Sequence, residues 1–502
     1  MNIWELAENE IRAFGEHVAV MFEGQEFTNV ELDRTERKLG NALKDLGVKR
    51  GDRVIIQMPN CPEVGESFGA VWRIGAVVVP MNYLIGDEES AHIYQDSGAE
   101  TVISSSQFLP KIEACRAKVP AIKNVLLIDK EVPKGYQSFW ELVDGSSDEQ
   151  EMVKTHDDEL AALVYTSGTT GRPKGVMHSH YSLYASAKVV SDSVVVLERR
   201  VSVFILPLCH TYGILCMNIG KLQGGWNSVI LPSFSVEKVF EAIGKYKATH
   251  FAGVPTLYVL MLLYPEHEKY DLSSIQQWKS GSAPLSMETW QGFKEKFGAE
   301  ILEGWGLTES GSTGCTMPPK GPIKVGSIGK PMIDTEVKIV DNEGRELPQG
   351  KEGELIISGP GLMKGYWNIP EETAESLRNG WLYTGDIGYV DKDGYFFITD
   401  RKKDLIIKGG ENISPRQIEE VLFAHPRVAE AAVVGIKDNI YGEDIKAFVV
   451  IKQGEEATAE EITDYCRSRL KTFKTPKELQ FVESLPKNLV GKVERKELRK
   501  LG

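Results

Sequence analysis

The chain has 502 residues, 42% of them hydrophobic, and this length is too great for one compact domain. The formal net charge is −14, and an acidic surface repels phosphate backbones, so we expect no nucleic-acid partner. The six cysteines form no C-x-x-C pair, which argues against a zinc site or a disulfide framework and favours a reduced, cytoplasmic protein. Because no long apolar run occurs, we predict no membrane span.

The first 160 residues alternate between helical and strand-like segments. Apolar residues at helical spacing predict helices over 29–46 and 63–73. Short apolar runs predict strands over 52–58, 75–79 and 101–104. This alternation is typical of an α/β fold with parallel sheets.

The character of the chain changes after Pro318. Dense proline and glycine punctuation is followed by short strands, which predicts an antiparallel β subdomain. A charged run at 400–404 then precedes about 100 residues with an independent α+β pattern. We therefore predict a large N-terminal domain over 1–400 and a small C-terminal domain over 401–502.

The segment 165–176 (YTSGTTGRPKGV) carries three glycines, several hydroxyl side chains and one lysine. Glycines let the backbone approach a ligand closely with its N–H groups turned inward, and Lys174 adds a positive charge. The combination suits the phosphates of a nucleotide, although it is not the Walker sequence. The alternative is a polar surface loop between a strand over 160–165 and a helix. The nearby pair His178 and His180 alternates, which predicts a solvated edge.

Two segments further along combine aromatic, small and acidic residues. The bend 279–285 (KSGSAPL) consists mostly of small residues that leave room for a flat ring. In 303–309 (EGWGLTE), glycines flank Trp305, which can stack on a planar base, and Glu309 offers a hard oxygen to Mg²⁺.

Three isolated polar residues have both a functional and a structural interpretation. His210 follows a predicted strand, and a lone histidine is either a ligand contact or a core residue. Asp386 ends a short turn-like segment, where a carboxylate either accepts two ribose hydroxyls or forms the turn. Lys492 follows Gly491 in a segment that can project as a loop, and by itself it would face solvent.

From about residue 10 to the C-terminus, these segments resemble the adenylate-forming superfamily of acyl-CoA synthetases, aryl-CoA ligases, luciferases and peptide-synthetase adenylation domains. The segment 409–415 (GGENISP) is most similar to fatty-acyl-CoA ligases. The resemblance implies an enzyme that joins a small-molecule carboxylic acid to ATP with Mg²⁺, releases pyrophosphate, and passes the acyl group from the adenylate to coenzyme A. It is compatible with a homodimer.

The resemblance also implies roles for individual residues. The catalytic residues would be Lys492, Glu309, Thr308 and His210, and the magnesium ligands Glu309 and Thr166. The residues that bind nucleotide or coenzyme A, or carry the domain hinge, would be Thr166, Ser167, Gly168, Thr169, Thr170, Lys174, Gly281, Ser282, Ala283, Pro284, Glu303, Gly304, Trp305, Gly306, Thr308, Asp386, Arg401, Lys403 and Gly410. The family usually has tyrosine at position 305, and tryptophan keeps the stacking surface without the phenol hydroxyl.

The presumed acyl-binding segments, 210–225 and 251–258, are mostly apolar, and we expect no lysine or arginine inside the pocket to pair a second carboxylate. This favours a medium- or long-chain aliphatic, or an alicyclic, monocarboxylic acid. An aryl acid such as benzoate stays open. Three other functions also stay open: an adenylation enzyme that loads a carrier protein, a luciferase-like oxidase, and a non-catalytic acyl- or nucleotide-binding protein.

Overall fold

The structure is a computed structural model that describes residues 1–166, 172–193, 200–318, 320–487 and 493–501. The elements up to residue 145 are α1 (Glu5–Phe14), β1 (Val18–Phe22), β2 (Gln25–Thr28), α2 (Asn29–Asp45), β3 (Arg53–Gln57), α3 (Pro62–Arg73), β4 (Val77–Pro80), α4 (Asp87–Ser97), β5 (Thr101–Ser104), α5 (Leu109–Lys118), β6 (Asn124–Leu127), β7 (Gln137–Ser138) and α6 (Phe139–Gly145).

The elements from residue 160 to 331 include a π-helical segment (Gly213–Ile219). The others are β8 (Leu160–Thr166), β9 (Lys174–Ser179), α7 (His180–Asp192), β10 (Val201–Phe204), α8 (Gly220–Gly224), β11 (Asn227–Ile230), α9 (Val236–Tyr246), β12 (His250–Gly253), α10 (Pro255–Leu263), β13 (Gln277–Ser280), α11 (Met287–Phe297), β14 (Ile301–Gly306), β15 (Gly314–Thr316) and β16 (Lys330–Pro331).

The remaining elements form two smaller groups. The first contains β17 (Glu336–Val340), β18 (Gly353–Ser358), β19 (Gly365–Tyr366), α12 (Pro370–Ser376), β20 (Leu377–Arg378), β21 (Trp381–Val390) and β22 (Phe396–Arg401). The second contains β23 (Ile406–Lys408), β24 (Glu411–Ile413), α13 (Pro415–Phe423), β25 (Val428–Asp438), β26 (Gly442–Ile451), α14 (Ala459–Arg467), β27 (Glu478–Phe481) and α15 (Arg495–Lys500).

Strands β1 to β16, together with β19, form two large sheets. One has nine strands in the order β16-β15-β14-β13-β12-β10-β11-β1-β2, and the other has eight in the order β19-β9-β8-β4-β3-β5-β6-β7. Their central strands are parallel and almost wholly buried, as is typical of largely apolar segments such as β4 and β10. The prediction of parallel α/β sheets is confirmed.

The third and fourth sheets are mainly antiparallel. Strands β17, β18, β21, β20 and β22 form the predicted β subdomain. Strands β24, β23, β26, β25 and β27 form a separate sheet that, with α13 and α14, makes the small α+β region at the C-terminus. The chain passes from the third sheet to the fourth between Arg401 and Ile406, and the exact boundary at 400/401 stays a prediction.

Two local predictions were wrong. No helix follows the glycine-rich segment directly, because β9 first pairs antiparallel with β8 through the pair Thr166 and Lys174. His178 and His180 are fully buried, not solvated. Burial lowers the pKa of each imidazole to about 4, so both are neutral at pH 7 and act as packing and hydrogen-bonding groups.

Within the part of the chain that the structure describes, no helix combines the length and apolar character needed to span a bilayer.

Candidate active site

A cavity of about 1030 Å³ opens at the carboxyl ends of strands from both large sheets. Its wall includes the last residues of four parallel or mixed strands, Thr166 of β8, Gly253 of β12, Ser280 of β13 and Gly306 of β14. The carboxyl ends of parallel strands are the usual place for ligands in open α/β sheets. The β subdomain and residues of the C-terminal region complete the wall.

Most of the predicted site residues that the structure describes converge on this cavity. Those that line it are Thr166, Lys174, His210, Gly281, Ser282, Gly304, Trp305, Gly306, Thr308, Glu309, Arg401 and Lys403. Ser167, Gly168, Thr169, Thr170 and Lys492 lie outside the described residues.

Five predicted residues are described but do not line the cavity. Ala283 and Pro284 continue the loop that begins with the lining residues Gly281 and Ser282. Gly410 lies in the turn between β23 and β24, in the fourth sheet. The other two lie behind the cavity lining: Glu303 binds the backbone of Leu285, and Asp386 binds the lining residues Arg401 and Trp305. The site assignments as a whole stay predictions.

Asp386 forms the centre of a buried polar cluster at one end of the cavity. It lies within strand β21, not at the end of a turn, and is cross-strand partner to Arg401 of β22. Oδ1 accepts a hydrogen bond of 2.6 Å from Arg401 Nε, and Oδ2 accepts one of 2.8 Å from Trp305 Nε1. A carboxylate offers about four lone-pair sites, so this one can still accept hydroxyl groups of a ribose.

The predicted stacking of Trp305 on a planar base gave no indication of its hydrogen bond to Asp386. The indole N–H binds the Asp386 carboxylate while the ring lies in the cavity wall. The glycine after it is required by packing, since a Cβ on Gly306 would lie 2.5 Å from the carbonyl oxygen of Ser312.

Glu309 and Thr308 are held by three elements around them. The backbone N–H of Met363 donates to the Glu309 carbonyl at 2.8 Å, and the Tyr366 hydroxyl donates to Glu309 Oε1 at 2.9 Å. The neutral His178 donates from Nε2 to the Thr308 carbonyl at 2.8 Å, which fixes its tautomer. His178 is therefore a buried brace beneath the cavity wall, a role that its sequence position did not indicate.

Lys174 lines the cavity, and its ammonium group lies beside a carboxylate and an aromatic ring. It forms an ion pair with Glu372 of α12 and lies 5.5 Å from the centroid of the Tyr366 ring. Its side chain is only 11% exposed, and burial lowers the pKa of Lys174, while Glu309 and Glu375 oppose that change. A lysine so placed can exchange its carboxylate partner for phosphate oxygens.

His210 lines the cavity where β10 ends, as the sequence predicts. Burial lowers its pKa, so the imidazole is neutral near pH 7. Nδ1 accepts a long hydrogen bond of 3.4 Å from the backbone N–H of Tyr212, which leaves the proton on Nε2 as a donor. A neutral donor of this kind suits one oxygen of a substrate carboxylate.

Glu303 supports the small-residue loop instead of facing the cavity. Oε2 accepts a hydrogen bond of 3.2 Å from the backbone N–H of Leu285, and the residue is only 7% exposed. Burial raises the pKa of the Glu303 carboxyl to about 7, although the bond from Leu285 opposes the rise. Near neutral pH this carboxyl is therefore partly protonated.

We expect the Glu303→Gln variant to resist unfolding better than the wild type at pH 8, but not at pH 4. The folded-state pKa lies above the ordinary value of 4.5, so the contribution of this carboxyl to stability is fully present below pH 4.5 and is lost as pH rises towards about 7. The difference of about 2.5 pKa units corresponds to about 3 kcal/mol, and glutamine keeps an oxygen for Leu285. Thermal unfolding of both proteins between pH 4 and pH 8 measures the effect. If the two proteins differ in unfolding temperature by the same amount at every pH, the result contradicts a buried, protonated carboxyl.

The C-terminal region reaches the cavity on both sides of the undescribed segment 488–492. Lys487 before it and Glu494 after it both line the wall. Lys403, at the predicted hinge, also lines the cavity, and burial lowers its pKa with help from the Arg401 charge. In this structure the flanks of the Lys492 segment, and not Gly410, are at the cavity.

Arg200 and Lys279 also line the cavity, which the sequence prediction missed. The prediction considered only 210–225 and 251–258, whereas these two cations come from the ends of β10 and β13. The Arg200 guanidinium lies 3.9 Å from the centroid of the Trp226 ring, and Nε donates to Ser202 Oγ at 3.1 Å. The charge and hydropathy of one segment do not show which residues from other segments line the same pocket.

The residues around Glu309 fit a magnesium ion that is bound together with a phosphate ligand. Mg²⁺ usually takes one or two carboxylates from the protein and its other ligands from water and substrate phosphates. Glu309 and the Thr166 hydroxyl supply one carboxylate and one neutral oxygen in the cavity wall. Among the described residues, no group of three or more His, Cys, Asp or Glu side chains forms a closed metal cage.

Comparisons with known proteins agree with this geometry. The model of the AMP-binding enzyme family matches residues 7–367, and that of the AMP-binding enzyme C-terminal domain matches residues 417–492. A long-chain-fatty-acid–CoA ligase of Bacillus subtilis (strain 168) is 37% identical, over 97% of this chain and 92% of its own.

Two solved structures are similar over nearly the whole chain. The anthranilate CoA ligase AuaEII in complex with anthranoyl-AMP has a TM-score of 0.94 at 31% identity, over 100% of this chain and 97% of its own. The O-succinylbenzoate coenzyme A synthetase of Bacillus subtilis, in complex with ATP and a magnesium ion, has a TM-score of 0.86 at 30% identity, over 98% of each chain. The chain therefore belongs to the AMP-binding enzyme family and is an AMP-forming acyl-CoA synthetase.

Proposed function

We propose that this enzyme activates a monocarboxylic acid with a largely apolar body, of medium or long chain or alicyclic, and transfers it to coenzyme A. The apolar side of the cavity near His210 and the similarity to a long-chain-fatty-acid–CoA ligase support this choice. The observation that carries the proposal is the meeting of Lys174, Glu309, Trp305 and Arg401 in one cavity with Asp386 directly behind them.

In the first step, a carboxylate oxygen of the acid attacks the α-phosphorus of ATP, and pyrophosphate leaves. Catalysis of such a step is mostly positioning and charge stabilisation. Asp386 and Arg401 hold the ribose, Trp305 stacks on the adenine, and the loop 166–174, which includes Lys174, receives the β- and γ-phosphates. His210 donates to the acid, and Lys492 stabilises charge at the α-phosphate. A magnesium ion bound at Glu309 would offset charge on the departing pyrophosphate.

In the second step, the thiol of coenzyme A attacks the acyl carbon of the adenylate, and AMP leaves with the bonding electrons. The small domain, which we place at 401–502, rotates about Lys403 between the steps. Rotation of a domain about a few residues at the end of an element is a common mode of domain movement. It takes the Lys492 segment away and brings Gly410 to the cavity, where the pantetheine arm passes close to its backbone.

A panel of acids tests the proposed substrate. AMP formation is measured with ATP and C2 to C16 acids, benzoate, cyclohexanecarboxylate and dicarboxylates of matched length, each with and without coenzyme A. The dicarboxylates belong in the panel because Arg200 and Lys279 line the cavity. Highest catalytic efficiency with an apolar monocarboxylate supports the proposal. Preference for benzoate or a dicarboxylate overturns the acid class, and no AMP from any acid overturns the activity.

The acceptor is tested in the same assay. The proposed acceptor is free coenzyme A, and an anthranilate CoA ligase is among the similar structures. The rival function is an adenylation enzyme that loads a carrier protein. We expect AMP release to accelerate on addition of free coenzyme A and a thioester to accumulate. Acceleration by a phosphopantetheinylated carrier protein alone would favour the rival function.

We expect Gly410→Ala to slow thioester formation about tenfold or more while carboxylate-dependent pyrophosphate exchange stays near the wild-type rate. A methyl group there would obstruct the pantetheine arm only after the domain rotates. Gly454→Ala is a matched control, because both glycines have similar positive φ values, +86° and +83°, and open space around a new Cβ. Equal loss of thioester formation in both variants would show a folding effect and contradict the role of Gly410.

We also propose a cytoplasmic location and a homodimeric state. Free thiols at Cys61, Cys115, Cys209, Cys315 and Cys466 support a reducing compartment. Cell fractionation tests the location, and light scattering coupled to size exclusion tests the dimer.

A further inference from the structure

Tyr366 contacts both charged residues of the proposed phosphate site. Its hydroxyl donates to Glu309 Oε1 at 2.9 Å, and its ring centroid lies 5.5 Å from Lys174 Nζ. Tyr366 belongs to the two-residue strand β19. Through these two contacts the tyrosine can influence the positions of both charged groups.

Lys174 and Glu309 would be expected to pair with each other in the absence of nucleotide. Opposite charges in a partly buried site attract strongly, and Glu309 does oppose the lowering of the Lys174 pKa. Yet in the described part of the chain no ion pair joins them, because Lys174 pairs with Glu372 and Glu309 accepts from Tyr366. A direct pair would neutralise both groups that a metal-bound triphosphate needs.

We propose that Tyr366 is a positioning residue for the binding of magnesium and ATP: its hydroxyl fixes the Glu309 carboxylate in a direction that keeps it available to the metal ion. The hydrogen bond engages Oε1 and thereby sets the direction of Oε2. Groups that orient a metal ligand in this way commonly matter almost as much as the ligand. The inference rests on the proposed role of Glu309 as the magnesium ligand.

Tyr366 is itself held firmly. Its backbone N–H donates to Thr373 Oγ1 of α12 at 2.8 Å. Gly365 has φ of +141°, and a Cβ there would lie 2.5 Å from Thr373 Cγ2, so only glycine fits before the tyrosine. The phenol hydroxyl is the donor in its bond with Glu309, because a carboxylate oxygen only accepts.

The test compares Tyr366→Phe with Tyr395→Phe. Both variants keep the ring and lose one hydroxyl hydrogen bond, since Tyr395 donates to the Pro322 carbonyl at 2.7 Å away from the cavity lining. Binding of Mn²⁺ to the enzyme with α,β-methylene-ATP, which cannot be cleaved, is measured by electron paramagnetic resonance. We expect Tyr366→Phe to weaken Mn²⁺ binding about tenfold. Tyr395→Phe should stay within about twofold of wild type.

A double-mutant cycle with Glu309→Gln separates positioning from general damage. If Tyr366 acts through Glu309, then Tyr366→Phe has less than about a twofold effect on Mn²⁺ binding in the Glu309→Gln background. A loss below twofold in the single variant, or an undiminished loss in the double variant, overturns the inference. Wild-type Mn²⁺ affinity in Glu309→Gln would instead overturn the proposed role of Glu309.

A second variant guards against misfolding of Tyr366→Phe, which its thermal unfolding curve would reveal. Thr373→Val keeps Tyr366 and Glu309 but removes the acceptor for the Tyr366 N–H. Weaker Mn²⁺ binding in this variant, at wild-type affinity for the metal-free analogue, supports positioning by Tyr366. Unchanged Mn²⁺ binding contradicts it.

Discussion

Replacement of Lys492 by alanine should reduce carboxylate-dependent pyrophosphate exchange about 10³-fold while thioester formation from a supplied acyl-adenylate stays within a few-fold of wild type. The ammonium is needed only while negative charge develops at the α-phosphate, and a preorganised charge at that point contributes about 10²–10³ in rate. Once the adenylate exists, that step is complete, and the proposed rotation has moved the lysine away.

The experiment follows both half-reactions in the same preparation. Exchange of labelled pyrophosphate into ATP reports the first, and chromatography of the thioester formed from synthetic acyl-adenylate and coenzyme A reports the second. Lys496→Ala is the control, since this lysine is exposed at the start of α15, four residues further on. Equal loss of both half-reactions in Lys492→Ala would refute a role confined to adenylation.

Replacement of Asp386 by asparagine should raise the KM for ATP and lower catalytic efficiency about 10²-fold. The side chain accepts from Arg401 and from Trp305, and an amide has one oxygen for two donors. Its NH₂ group would face a guanidinium or an indole N–H, and the ribose would lose its acceptor. The unfolding free energy should also fall by about 1–3 kcal/mol, near the lower end because the Arg401 side chain is 32% exposed.

Asp391→Asn is a matched control in the same subdomain. Asp391 also binds a cation, Lys324, and accepts backbone N–H groups, but it does not line the cavity. Steady-state kinetics over a range of ATP concentrations and denaturant unfolding separate the two effects. A KM for ATP that is no higher in Asp386→Asn than in Asp391→Asn would contradict ribose binding by Asp386.

Local sequence patterns were enough to predict much of the fold. Short, largely apolar runs such as 75–79 and 101–104 became the buried strands β4 and β5 of a parallel sheet, because strands covered on both faces are mostly apolar. The clustered motifs likewise came together at strand ends. The strands and the motifs could both be predicted because each depends on residues that are close together in the sequence.

The interactions that hold the site could not be predicted, because they join distant positions. Tyr366 and Glu309 are 57 residues apart, and the bond from His178 to Thr308 spans 130 residues. The pair Asp386 and Arg401 depends on the register of β21 against β22. His180 was misjudged for the same reason, since its Nδ1 accepts from the backbone N–H of Ile3, a partner 177 residues away.

The ion pair between Lys174 and Glu372 makes nucleotide entry an exchange of anions. The incoming triphosphate displaces a carboxylate that the fold already supplies, so the gain in affinity is the difference between two attractions. After pyrophosphate departs, Glu372 can return to the ammonium, and no uncompensated positive charge remains to recapture the leaving group. Competition from Glu372 therefore weakens the binding of the triphosphate but promotes the release of pyrophosphate. Faster release favours turnover in the direction of the activated acid.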